Sequence, residues 1–429
     1  MPSFNLTNFD AAMKHMYPYK KVENMVYKNN PLLAMIPKST KFPGRNATYA
    51  VEYGVTNGRS ANFQTAQNNR NGTKLSDFVV TRVKDYAVVS VDNETLLAAD
   101  GNEGSLLDVA KSKTDSALLA LSRSMGSDIY RSGSGSIGQL DDSAADDGTT
   151  LTLTQAADAA NFEVGMRIVA GTATEGDTLA NNGTAVEVTG IDREAGTLTL
   201  GSPMEAAWSI ASGDNADLHL YCEGDAQNGT GNSKLKISGI DAWIPSAVTS
   251  TSFFGVDRTV DATRLGGQRQ SASGGGVSVS EDIINAAVKT SREGGRPDAC
   301  FMNPTNWASL AIDLEGRHTV GTVSAGGNSR RRYDPKDKVG TFGFSSISIA
   351  TPTGMVDIYA DHNCPINVAY LLQLDTWEFK SLGAAPRILD FDGLKGLRQA
   401  NEDGVEYRWG YYGNLLCKAP GFNCRIALA

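Results

Sequence analysis

Apolar and small residues recur at every third or fourth position across residues 104–130, the longest such stretch in the chain. The stripe is made of Leu107, Ala110, Thr114, Leu118, Leu121, Met125 and Ile129. This spacing places them on one face of an α-helix, with charged residues such as Lys111 and Asp115 elsewhere. Gly133 and Gly135 end the pattern, and at 1.5 Å per residue the helix is about 40 Å long. Such a length with one narrow apolar stripe indicates a strut, although an ordinary long core helix has the same pattern.

The first 45 residues are polar and aromatic and end in an apolar run between Pro31 and Pro37. Because a proline at each end excludes a long helix, the run should be extended or form a single turn. Its side chains have no partners within the segment, so we predict an N-terminal arm, residues 1–45, that is buried on another surface. Docking on the chain's own domain is the alternative. The candidate intersubunit contacts in this arm are Leu32, Leu33, Met35 and Ile36.

Two β-rich stretches, residues 47–53 and 78–91, enclose a long polar loop whose one aromatic residue is Phe63. A structureless loop of more than about 15 residues is uncommon in a compact domain and is usually functional or disordered. We therefore predict a projecting two-stranded arm, the extended loop 46–95. Since an isolated hairpin is only marginally stable in water, this arm should lie on a neighbouring subunit. Its candidate intersubunit contacts are Arg59, Phe63, Arg70 and Lys74.

Residues 149–224 are rich in Thr, Ala, Gly and Asp and contain short alternating runs. The runs are 150–154, 165–169, 185–189 and 197–200. Their regular spacing predicts a small barrel or sandwich. Helical sequence lies on both sides, so we interpret residues 148–223 as an inserted all-β domain.

Helix signals return after this module. Ser280 can cap one helix, and Asn303 with Pro304 begins a second helix that should end at Glu315. Between them, residues 299–302 have the pattern of a buried strand, so the three elements predict an α/β layer. The remaining predicted strands are 346–349, 355–359, 368–380 and 407–417. Within the third, Trp377 and Phe379 share one face.

Composition bounds the function classes. The chain is 41% hydrophobic and 20% charged, which is enough apolar sequence for a core, and its length corresponds to about two or three domain-sized units. Its formal net charge is −9, whereas nucleic-acid readers usually carry a basic surface. No apolar run approaches the ~18 residues of a membrane span. The five cysteines are scattered with no CxxC pair, so we interpret them as free thiols.

Chemical motifs are weak. Residues 133–138 match GxGxxG, but a dinucleotide site needs a strand before the glycines and a helix after them. Here the helix comes first, so the glycines are better explained as a helix stop. The four histidines are isolated from one another, and no nucleophile elbow or phosphate-binding loop occurs. We predict no catalytic, cofactor or metal site and no enzymatic activity. The strongest charge run, a solvated loop or an intersubunit ion-pair site, is Arg330, Arg331 and Arg332.

The order of these parts resembles the major capsid proteins of tailed bacteriophages. The resemblance rests on the residues 30–33, on 78–91 leading into the strut, on 299–307 and 370–379, and on 161–166 in the inserted module. It implies an α+β capsid fold with an N-terminal arm, an extended β-loop, a long spine helix in a peripheral domain, an α/β axial domain and a small inserted β-domain. The implied divisions are 1–45, 46–95, 96–147 (peripheral), 148–223, 224–362 (mainly axial) and 363–429 (C-terminal strands).

The resemblance also implies a function. The chain would assemble with itself into the pentamers and hexamers of an icosahedral head that encloses double-stranded DNA without sequence-specific binding and without a membrane. It would lie in the virion and assemble in the host cytoplasm, with a portal and a decoration protein as further partners. Because the β-arm begins near Asn46, we expect scaffolding to be a separate protein or the chain to be processed. The alternatives are an encapsulin-like compartment shell, which shares the fold, and a carbohydrate-binding or adhesin protein, suggested by the Thr-rich module.

Overall fold

The computed structural model describes most of the chain, and all elements named below belong to that part. The described residues are 30–42, 44–94, 109–141, 148–171, 178–209, 218–226, 234–250, 252–271, 278–318, 346–390, 393, 396–399 and 402–428. The α-helices α1 to α7 are Pro31–Met35, Phe63–Asn68, Val109–Asp128, Met204–Trp208, Ile240–Trp243, Val279–Arg292 and Pro304–His318. The strands β1 to β20 are Lys38–Ser39, Asn46–Gly54, Lys74–Thr81, Val83–Asp92, Ser136–Gln139, Thr150–Thr152, Arg167–Gly171, Val186–Asp192, Thr197–Leu200, His219–Cys222, Gln268–Gln270, Ala299–Met302, Ser346–Thr351, Gly354–Ala360, Val368–Leu372, Trp377–Ser381, Arg387–Ile388, Gly396–Arg398, Gly404–Cys417 and Cys424–Ala427.

The predicted strut is α3, which packs on β4 and β19 of a six-stranded sheet. Over its 20 residues it spans about 30 Å, and the predicted first turn at 104–108 lies outside the described residues. Ala117, Leu121 and Met125, each one turn apart, are buried. The sheet is built around β19, which pairs antiparallel with β4, β16, β17 and β18, while β1 extends it beyond β16. We call it the spine sheet.

A second six-stranded sheet has the order β11-β20-β15-β12-β14-β13 and carries α6 and α7. We call it the axial sheet. Pro304 begins α7 as predicted, and Asn303 caps it by accepting the Thr305 amide at 3.1 Å. The helix continues to His318 rather than ending at Glu315. An internal glycine costs a helix only about 1 kcal/mol, so one glycine does not stop it.

The sequence predicted one strand over 368–380, but the structure divides it between the two sheets. Val368–Leu372 belongs to the axial sheet, Trp377–Ser381 belongs to the spine sheet, and a 3-10 turn joins them. The crossover is held by Asn423, whose buried Oδ1 accepts the Gln373 amide at 2.8 Å and the Trp377 indole Nε1–H at 2.9 Å. Trp377 and Phe379 are both buried, as their shared face predicted.

The inserted module is a sheet of order β5-β10-β7-β8-β9-β6. A bridge between Leu140 and Leu153 joins its first and last strands, so the sheet closes into a small barrel. Its core, which includes Phe162 and Trp208, forms a cluster apart from the main core. The predicted boundary 148–223 was too narrow, because Ser136–Gln139 pairs with β10 inside the barrel. That short strand follows the helix-stopping glycines and has no alternating apolar pattern.

The extended loop is a hairpin of β2 and β3, paired from Asn46 with Thr81 outward to Glu52 with Leu75. The helix α2 forms part of its tip. The predicted range 46–95 joined two different elements. The hairpin ends before Arg82, and the next strand, β4, belongs to the spine sheet. The projecting arm is therefore residues 46–81.

Candidate assembly surfaces and the barrel junction

The tip of the β-arm is an ordered turn, although its sequence is almost entirely polar. Asn62 caps α2 through its Oδ1, which accepts the amides of Gln64 at 2.9 Å and Thr65 at 3.3 Å. Across the tip, the Asn57 amide donates to Asn71 Oδ1 at 3.0 Å. Asparagine side chains thus replace the missing sheet hydrogen bonds, and they fix the shape in which the tip is presented.

Apolar side chains on the outer arm point into solvent. Phe63 is 77% exposed, and Val55 and Leu75 are also largely exposed. The predicted contact residues Arg59, Arg70 and Lys74 are exposed on the same arm. Exposed apolar groups on a projection without a core of its own are typical of a surface that another chain covers.

The base of the arm, in contrast, is fixed to the subunit. Phe78 is fully buried and packs edge-on against Trp243, with ring centroids 5.2 Å apart. The Val79 amide donates to the Phe254 carbonyl at 2.9 Å. Because the base is held by both packing and a hydrogen bond, the arm leaves the subunit in a defined direction.

The N-terminal apolar segment has a different place from the one that the sequence predicted. α1 is a single turn, as the flanking prolines indicated, but its side chains lie in the chain's own main core. This is the docking that the sequence left as the alternative, and it means that their burial needs no neighbour. The residues concerned are Leu32, Leu33, Met35 and Ile36.

Asn30 fastens this segment to the spine helix. Its Nδ2 donates to the Ser122 carbonyl at 3.0 Å, and its Oδ1 accepts from Asn363 Nδ2 at 2.9 Å. A Cβ at Gly126 would lie 2.7 Å from Asn30 Oδ1, so the glycine makes room for this contact.

A buried charge cluster joins the barrel, the spine helix and the spine sheet. Lys236 donates through Nζ to Asp85 on β4 at 2.7 Å and forms an ion pair with Asp225 at the end of the barrel at 2.9 Å. Ser124 on α3 lies within hydrogen-bond distance of both Asp85, at 3.2 Å, and Asp128, at 3.3 Å. Sequence reasoning missed this cluster because its members are far apart in the chain and form no motif.

The cluster perturbs its own ionisation. Burial, opposed by the nearby Lys236 and reinforced by Asp85 and Asp225, raises the pKa of Asp128 to about 7. The pKa of Lys236 is raised above its usual value, because the three carboxylates outweigh the effect of burial. The ammonium is therefore charged at neutral pH, whereas the carboxylates compete for it.

A cavity of about 420 Å³ lies beside the cluster, between α3, β4 and the barrel. Ion pairs at the same junction link the helix to the barrel. Arg123 on α3 pairs with Glu163, and Arg131 just beyond α3 pairs with Asp158 at 3.2 Å. Charged contacts around a cavity thus link the barrel to the spine helix and the spine sheet.

The five cysteines are free thiols, and all but Cys222 are buried. Burial raises the pKa of Cys222 and of Cys417 to about 12, so neither is an activated thiolate. Within the described ranges, no group of His, Cys, Asp and Glu has a geometry that could hold a metal ion, and no helix there is long and apolar enough to span a membrane. Gly133 and Gly135 have positive φ values of 84° and 86°, which is consistent with the predicted helix stop.

Comparisons with known proteins agree with this architecture. Residues 220–400 match the protein-family model described as SU10 major capsid protein. The chain is similar to the capsid asymmetric unit of cyanophage A-1(L), with a TM-score of 0.53 and 11% identity over 97% of this chain and 98% of that one. This likeness shows a shared fold. No curated protein matches the chain.

Two further solved structures are more distant. The chain is similar to a protein of Mycobacterium phage Bobi with a TM-score of 0.43 and 10% identity, covering 100% of this chain and 99% of that one. It is also similar to the holo-SrpI encapsulin complex of Synechococcus elongatus with a TM-score of 0.45 and 7% identity, covering 100% and 96%. The family match and the shared cyanophage fold confirm the predicted resemblance to tailed-phage major capsid proteins and the predicted α+β capsid fold.

Proposed function

We propose that this chain is the major capsid protein of a tailed phage. It assembles into the pentamers and hexamers of an icosahedral head that encloses double-stranded DNA. The observation that carries the proposal is the match of residues 220–400 to the SU10 major capsid protein family. In addition, the fold of the chain aligns with 98% of the cyanophage A-1(L) capsid chain. The encapsulin-like alternative is not favoured, because the family match is to a phage protein.

The physics of the subunit supports a structural role. A rigid arm with exposed Phe63, Val55 and Leu75 can bury apolar area on the next copy. Stable interfaces bury about 1,600 Å², and each subunit of a closed shell makes several. The net charge of −9 suits a container, because an acidic wall has no general attraction for DNA.

The partners follow from this role. The chain's main partner is a second copy of itself. Its further partners are a separate scaffolding protein, a portal and a decoration protein. Assembly takes place in the host cytoplasm, and the protein then lies in the virion. It performs no catalysis, so the inserted barrel serves in binding or in shell architecture.

Electron microscopy of the expressed chain tests the proposal. We expect closed shells or rings of five and six subunits, either from the chain alone or after addition of phage lysate that supplies a scaffolding protein. A variant lacking the arm tip, residues 57–73, is the matched control and should remain a folded subunit that assembles poorly. A lasting monomer with affinity for glycans would instead support the carbohydrate-binding alternative and overturn the capsid assignment.

A further inference from the structure

The charge cluster at the barrel junction has an excess of negative charge. Lys236 has a side chain that is only 7% exposed, and Asp128 is 3% exposed. The carboxyl groups of Asp85, Asp128 and Asp225 all lie around this one ammonium, and the side chains of Asp85 and Asp225 are only 14% and 28% exposed. Burying an unpaired charge is costly, so one carboxyl of the three is better accommodated in its neutral form.

Asp128 is the carboxyl that is placed to hold the proton. It lies at the end of α3, where the helix dipole is negative and disfavours an anion. Lys236 hydrogen-bonds to Asp85 and pairs with Asp225, whereas Asp128 has the Ser124 hydroxyl as its hydrogen-bond partner. Other charged or titratable groups come from the elements packed around it. They are Arg131 beyond α3, Asp85 on β4, Cys222 and Asp225 at the barrel end, Lys236, and Tyr411 on β19.

We propose that this cluster is a proton-dependent joint that holds the barrel against the spine helix and the spine sheet, closed while Asp128 is protonated and loosened when it ionises. The three carboxyl groups belong to three parts of the subunit, namely β4, α3 and the end of the barrel. Repulsion among them therefore acts directly on how those parts fit together. The neighbouring cavity gives the junction room to shift. The proposal concerns one subunit and does not rest on the capsid function.

The sign of the effect follows from proton linkage. Because the pKa of Asp128 is raised to about 7, the folded chain holds a proton between roughly pH 4 and pH 7 that the unfolded chain has released. The stability that the Asp128 carboxyl contributes to folding is therefore fully present at low pH. It falls as the pH rises through that window and no longer changes above pH 7. One linked proton changes the unfolding constant by up to about tenfold per pH unit.

The experiment measures urea unfolding of the full-length chain between pH 5 and pH 8. Asp128→Asn keeps the shape of the side chain and removes its charge. Between pH 5 and pH 7, the unfolding constant of the wild type should rise about a hundredfold more than that of this variant. The matched control is Asp115→Asn, since Asp115 lies exposed on the same helix. It should retain the wild-type pH profile.

Hydrogen exchange of the wild-type chain gives a readout that needs no variant. After correction for intrinsic exchange, amides of residues 124–130 and 136–140 should lose protection from pH 6 to pH 8, while those of Ala299–Met302 in the axial sheet should not. The same pH profile in Asp128→Asn as in wild type would overturn the proposal. If that variant does not fold, unchanged protection at the junction across this pH range would overturn it equally.

Discussion

Leu33 and Phe63 are both large apolar side chains, but the structure places them in opposite environments. Leu33 is 7% exposed and lies in the main core, whereas Phe63 is 77% exposed at the arm tip. The sequence assigned both to contacts between subunits, since neither has a partner within its own segment. Local pattern shows that a side chain needs burial, but which surface provides it is decided by contacts far away in the chain.

The first prediction tests Leu33. Leu33→Asp removes a buried apolar side chain and places a charge in the core, so we expect the isolated subunit to lose roughly 3–5 kcal/mol of unfolding free energy. Urea denaturation monitored by circular dichroism measures this. Leu33→Met, which conserves volume, should cost less than about 1.5 kcal/mol. An Asp variant as stable as wild type, but with weakened shells, would return this segment to the role of an arm on a neighbour.

At the scale of elements, the features that depend on residues close together in the sequence were predicted correctly. The periodic stripe gave the body of α3, the flanking prolines gave the single turn of α1, and Asn303 with Pro304 gave the start of α7. The capping residue of α6 was misplaced by two positions, since Ser278 precedes its first residue. Helix ends depend on a few hydrogen bonds, so a sequence pattern places them only to within one or two residues.

Pairing between distant strands could not be predicted in the same way. The run 368–380 has continuous β-character, and its division depends on a turn held by Asn423 from the last residues of the chain. For the same reason, the strand Ser136–Gln139 and the charge cluster around Lys236 were not predicted. Their partners come from other elements, and no pattern within the segment records them. The hairpin of the arm was therefore predictable from local sequence, whereas the barrel junction was not.

The second prediction concerns the barrel as an element. Its core is a separate cluster, and its two ends meet, because a Cβ at Gly135 would lie 2.5 Å from the Asp225 carbonyl. We therefore expect residues 134–226 to fold alone. Residues 148–223, which lack the strand Ser136–Gln139, are the matched control and should be unfolded or much less stable, with β10 exposed at an edge. Circular dichroism and amide NMR dispersion distinguish the two, and equal folding of both would contradict a closed six-stranded barrel.

At the scale of the molecule, two sheets and their helices form a body from which the arm and the barrel extend. The two extensions differ in how they are held and in what they expose. The barrel has its own core, whereas the outer arm has none and presents apolar side chains in a fixed shape. If the subunit builds a shell, the arm should therefore contribute to assembly and little to the stability of the subunit.

Phe63→Asp tests this division of roles. Because Phe63 is exposed in the single chain, the substitution should change subunit stability by no more than about 0.5 kcal/mol. In a shell, each buried phenylalanine contributes about 1.5–3 kcal/mol, and the loss repeats at every subunit. Shells of the variant should therefore form in lower yield and dissociate at lower temperature, as measured by sedimentation and light scattering. Val164→Asp, at a similarly exposed position on the barrel, is the control and should leave shells unchanged. Shells of Phe63→Asp as stable as wild type would mean that the arm tip is not covered by a neighbour, even though its base fixes its direction.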